Sequence, residues 1–173
     1  MGEIKSTLEL IMEKTKGLTM TNEEKRAFKQ REMAGKVKGL IQRFLDGIIN
    51  MERLRKEATA AGEEQQDLLR HVIIEESINR IVPGESNEPI LEILESITGM
   101  DIDPVNEILI DFKQKFEREK NAGEKLLREK FQKRGISGSA VLPNLEADPE
   151  WHHYVSELRI GTQERLNNLL LSL

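Results

Sequence analysis

Apolar residues recur at steps of three and four along nearly the whole chain, and nowhere do they alternate with polar ones over the length of a strand. Ile4, Leu8, Ile11, Thr15 and Leu18 share one stripe and predict a first helix ending near Gly17. Thr21 and Glu24 have capping-box spacing, so a second helix is expected to start there. Its stripe runs through Phe28, Val37, Leu40, Ile41, Phe44, Leu45, Ile48, Met51 and Leu54. Unbroken to about residue 60, this helix would be roughly 55 to 60 Å long.

Gly62 is the expected break, and EEQQDLLRHVIIEESINRIV then reads as a third helix stopped by Pro83 and Gly84. PILEILESIT follows as a short helix opened by Pro89 and closed by Gly99. A fifth is predicted from Asp103, acting as cap before Pro104, with Val105, Ile108, Leu109, Phe112 and Phe116 on its buried face. Its stripe lapses in EREKNAGEK, which predicts either a solvated rod or a bend at 121–123. Leu126, Leu127 and Phe131 resume the stripe before Gly135 ends it. A last helix opens at Asp148 and Pro149 and carries Trp151, Val155, Leu158, Thr162, Leu166, Leu169 and Leu173 on one seam.

The expected fold is therefore all-α: about six helices in an elongated bundle, with two long ones (21–60 and 103–134) that could pair antiparallel. Residues 1–173 read as one helical domain, with a natural subdivision into 1–82 and 83–173. Between the last two helices, residues 135–148 combine a Gly-Ser exit with Val141, Leu142, Pro143 and Leu145. Helix rules do not explain that apolar segment, and apolar residues in a connection seldom stay exposed, so it is expected to dock on the bundle as a strap.

Composition narrows the function. With no Cys, thiol nucleophiles, disulfides and thiolate metal sites are excluded. The longest apolar runs fall far short of the ~20 residues of a membrane span, and charges at Glu3, Lys5, Glu9 and Glu13 interrupt any signal-peptide pattern. A cytoplasmic location is the resulting expectation. MGEIKS fits a loose acylation pattern through Gly2 and Ser6, but the amphipathic helix explains the same residues.

The net charge of −5 is unevenly spread. Residues 25–43 hold seven Lys and Arg against Glu32, whereas 75–111 hold ten acids against Arg80. The two blocks are expected to face each other, or one of them a partner. Nucleic-acid binding through the basic block and through 113–134 is an alternative, weakened by the acidic overall balance and by the lack of free aromatic platforms.

For chemistry, Glu150 and His153 form one Glu-x-x-His unit, but a di-iron site needs two. A mononuclear site can be drawn from His71, Glu75, His153 and Glu157, making a metal-dependent helical enzyme the alternative to a binding protein. A surface histidine pair is the simpler account, since His152 and His153 point about 100° apart on a helix. Ser137 and Ser139 near these histidines lack a nucleophile elbow. Gly35 and Gly39 make a smooth patch one turn apart, expected at a close helix crossing. No cofactor and no small molecule is implied. Seven aromatic residues make a thin core and LLLSL an apolar end, both favouring a protein partner or a homodimer. The leading expectation is a non-enzymatic interaction, adaptor or assembly protein. Its expected working surfaces are the strap (Val141, Leu142, Leu145) with Trp151, and the basic face with Arg31, Lys38 and Arg43.

Overall fold

The computed structural model describes residues 21–59, 63–138 and 141–171. The helix expected over 4–18, the pattern at Gly2 and Ser6, the break at Gly62, and Ser139 and Leu173 lie outside them. The fold is all-α, with no strand among the described residues. The described residues form six helices: α1 Asn22–Leu45, α2 Met51–Thr59, α3 Glu63–Ile78, α4 Glu88–Thr98, α5 Asp103–Lys133 and α6 Pro149–Leu170, the last preceded by a 3-10 turn at Leu145–Ala147. No described helix is long and apolar enough to cross a membrane.

α1 begins as its sequence requires. The Glu24 amide donates to Thr21 Oγ1 at 3.1 Å, and the Thr21 amide donates to Glu24 Oε2 at 2.7 Å. It ends earlier than the apolar stripe suggests. Gly47 takes φ 70°, and Ile48 and Gly47 donate back to the carbonyls of Arg43 and Phe44, each at 2.9 Å. That Schellman arrangement satisfies the last carbonyls and turns the chain. Asn50 then caps α2, its Oδ1 accepting from the Arg53 amide at 2.9 Å. The single helix expected over 21–60 is thus two. The register shift puts Ile48 into solvent and seats Ile49 in the core. Phe28, expected on the buried stripe, is also exposed, as is every residue of α1 from Glu23 to Glu32.

The two long stripes do not pair with each other either. α1 packs on α3, and α5 packs on α6. α3 is the central element, touching α1, α4 and α6, which is why three consecutive residues, Val72, Ile73 and Ile74, are all buried. Ile41, Leu54, Ile78, Ile93, Leu94 and Leu166 complete this aliphatic core at 2 % exposure or less. Each contributes about 1.5 to 3 kcal/mol of burial. Between α3 and α4, buried Asn87 organises the loop: its Oδ1 accepts from the Val82 amide, and its Nδ2 donates to the carbonyls of Val82 and Glu85.

α5 is unbroken helix through 121–123. Its start corrects one expectation, for Asp103 is the first helical residue and Asp101 Oδ1 accepts from the Asp103 amide. Its end is the expected one, at Gly135 with φ 78°. α5 and α6 meet through an aromatic file: Phe112 to Phe116 (6.0 Å between ring centroids), Phe116 to Trp151 (5.3 Å), and Trp151 to Tyr154 (5.9 Å). The strap docks through Leu145, which lies so close to Gly123 that a Cβ there would sit 2.9 Å from Leu145 Cδ2. Gly123, inside the stretch without large apolar residues, is therefore the strap's seat. Leu142, expected in the docked segment, is exposed instead.

Two substitutions at helix glycines should have opposite signs. Gly35→Ala, where an added Cβ meets nothing within 4 Å among the described residues, is expected to stabilise by about 0.5 to 1 kcal/mol. Gly123→Val must evict Leu145 and should cost about 1 to 3 kcal/mol. Urea titration followed by circular dichroism reads both; equal effects would contradict the assigned seat. Trp151→Ala, measured the same way, is expected to cost about 3 to 5 kcal/mol.

Candidate functional site

The strap and Trp151 are used by the fold itself. Leu145 and Trp151 are buried, and Trp151 Nε1 donates to Glu146 Oε1 at 3.3 Å. Asp148 caps α6 by accepting from the Glu150 amide at 3.0 Å. His152 Nε2 lies 2.8 Å from the Glu146 carbonyl, which can only accept, so that nitrogen carries the proton. It cannot act as a base through the same atom. Desolvation pushes the Tyr154 phenol above its usual range, and the Glu119 carboxylate adds to the effect. Val141 remains half-buried and Leu142 free.

The histidines do not converge. His153 faces Glu157 at 3.4 Å on exposed α6, while His71 and Glu75 lie exposed on α3. Among the described residues no group of three or more metal-ligating side chains comes together, so the mononuclear set drawn from the sequence is split into two surface pairs.

The charge blocks do not meet as ion pairs among the described residues. Their junction is instead Arg80, the one cation of the acidic block. Its guanidinium donates to Gln42 Oε1 at 2.8 Å and to the Lys38 carbonyl at 3.2 Å, bonding α1 through neutral acceptors. Arg31 and Lys38 are exposed, whereas Arg43 sits 3.5 Å from Glu57. Glu57 also takes Arg53 at 3.0 Å, so one carboxylate fastens the end of α1 to α2.

What the sequence did not reveal is a groove of about 960 Å³ between α1, α2 and α3. Met33, Val37, Leu40, Ala58, Leu68 and Leu69 give it apolar walls, and Gly35 and Gly39 lie on its α1 side. The glycine pair was expected at a close helix crossing, yet among the described residues an added Cβ at either position meets nothing within 4 Å. Lys29, Lys36 and Arg43 stand along the rim with Glu32 and Glu57. Lys36 bonds Glu32 at 2.8 Å, which holds that carboxyl below its usual range. The spacing of the two glycines was the visible signal; the neighbours that leave them open were not visible.

A second polar feature joins α5 to α6. Asp111 accepts from Lys115 at 2.9 Å and from Arg165. Bonding first to Lys115 and then to Arg165 lowers its pKa below the ordinary carboxylate value. The Lys115 pairing follows from i,i+4 spacing, whereas the Arg165 pairing arises only when α6 folds back.

Against this geometry, no family model, no curated protein and no solved structure matches the chain.

Because the folded pKa of Asp111 is depressed, its stabilisation is fully present above the ordinary carboxylate pKa and is lost as pH falls through the folded value. Asp111→Asn should therefore cost up to about 1 kcal/mol at neutral pH, the pair being solvent-screened. The difference from the unmodified chain should shrink below about pH 4. Thermal melts across pH check both the sign and the window.

Proposed function

We propose that the protein is a non-enzymatic interaction module, an adaptor or assembly protein, that receives an amphipathic helix of a partner in the groove between α1, α2 and α3. The observation that carries this reading is the open apolar wall at Gly35 and Gly39. Small residues one turn apart let a second backbone approach closely, and a helix-sized groove with apolar anchors suits a ligand read at i, i+3, i+4 and i+7. The cations of the rim and the exposed Lys25 and Arg26 beyond it favour a helix whose flanks carry Asp and Glu. Lys36 and Arg43 are already paired with Glu32 and Glu57, so the cations that a partner's carboxylates would meet are the exposed Lys25, Arg26 and Lys29.

The test uses a labelled synthetic helix with leucines on one face and glutamates on its flanks, beside a lysine-flanked version of the same helix. Fluorescence anisotropy should show the acidic helix binding more tightly, with an affinity that falls as salt rises. Gly39→Leu, which fills the groove from an open position, should weaken binding by roughly tenfold or more while leaving the melting temperature of the protein unreduced. Equal binding to the filled and open grooves, or none to either, refutes the assignment.

A further inference from the structure

We infer that the end of α5, together with the strap beyond it, forms a second docking surface, one that takes an anionic lipid bilayer. Lys125, Arg128, Lys130, Lys133 and Arg134 lie exposed there, with Glu129 the one acid among them. Among the described residues none of these five cations is engaged in an ion pair, in contrast to Lys36, Arg43, Arg53, Lys115 and Arg165 elsewhere. The same end exposes three aliphatic side chains: Leu126 at 53 %, Ile136 at 50 % and Leu142 at 79 %. Arg128, Ile136 and Val141 also border a concavity of about 150 Å³, room for one phosphate headgroup beside a guanidinium.

Cations and aliphatics together distinguish the partner. A basic surface alone suits any polyanion, but exposed leucine and isoleucine gain free energy only where acyl chains can cover them. Single-stranded nucleic acid rewards free aromatic faces, and the aromatics nearby are otherwise engaged: Phe131 is half-buried and Phe116 packs on Trp151. The field along α5 supports an end-on approach. Its first turns carry Asp103, Glu107 and Asp111 with no cation before Lys113, and the middle of the basic end lies about 35 Å from the middle of this acidic start. A chain of net charge −5 meets a negative surface with least repulsion when this end leads.

Co-sedimentation of the full chain with vesicles of phosphatidylcholine, with and without one third phosphatidylserine, tests the inference. Binding is expected with phosphatidylserine alone and should fall with salt. Each cation removed from the tip should weaken binding by roughly fivefold, so Lys130→Gln with Lys133→Gln gives a loss on the order of 25-fold. Leu142→Ser should weaken binding with no change in charge. All three positions are exposed, and circular dichroism confirms that the variants fold. Gly39→Leu should bind vesicles as the unmodified chain does, which separates this surface from the groove and lets either reading fail alone. The inference is overturned by equal sedimentation with neutral vesicles or by no sedimentation. It is also overturned if Lys25→Gln with Lys29→Gln on α1 weakens binding as much as the tip pair does, or if duplex DNA is retained equally by the unmodified chain and Leu142→Ser at the salt where vesicles are not.

Discussion

Everything else in the fold rests on burying α3 from several sides. A helix with apolar residues at three consecutive positions cannot satisfy them with one partner. α1, α4 and α6 all pack on α3, and Val72, Ile73, Ile74 and Ile78 are all buried in the shared core. Because the core is aliphatic, it gains its stability from the close fit of many small side chains, and the loss of one is felt locally. The polar atoms that this arrangement encloses are few: among the described residues Ser77 Oγ and Arg80 Nε are buried without a partner. Arg80 tolerates this because its two terminal nitrogens are both bonded to α1.

The local punctuation of the fold was readable in the chain. The Thr21–Glu24 box, the Asp148 cap, Pro89 at the head of α4, and the glycines that end α4 and α5 all act as their chemistry requires, since each involves only neighbours in sequence. The split between α1 and α2 could have been read too. Asp46-Gly47 is a turn pair and Asn50 a cap, but the apolar residues Ile48 and Met51 kept the helical stripe going across them. Periodicity says which residues want burial; it does not say that the backbone continues.

What could not be read is the partnering of elements. Two long amphipathic helices suggest a pair, yet α1 lies on α3, across the intervening α2, and α5 on α6, across the strap. The same limit applies to the surfaces. Gly123 looked like a weak point of α5 and is the seat of Leu145, whereas Gly35 and Gly39 looked like a crossing and are open. Three helix-interior glycines with the same intrinsic propensity have two different roles, decided by residues more than twenty positions away. The histidines show the converse case, where a suggestive spacing on one helix finds no complement on another.

The position of Trp151 gives the molecule an optical asymmetry. The chain has a single indole, and it is buried where α5, α6 and the strap meet, bonded to Glu146, tilted against Phe116 and stacked on Tyr154. Its emission therefore reports on that joint alone, while the α1–α2–α3 groove contributes helix but no fluorophore. Wherever fluorescence and helicity are lost together, the two ends of the molecule unfold as one unit; a gap between the two curves measures how far one end opens without the other.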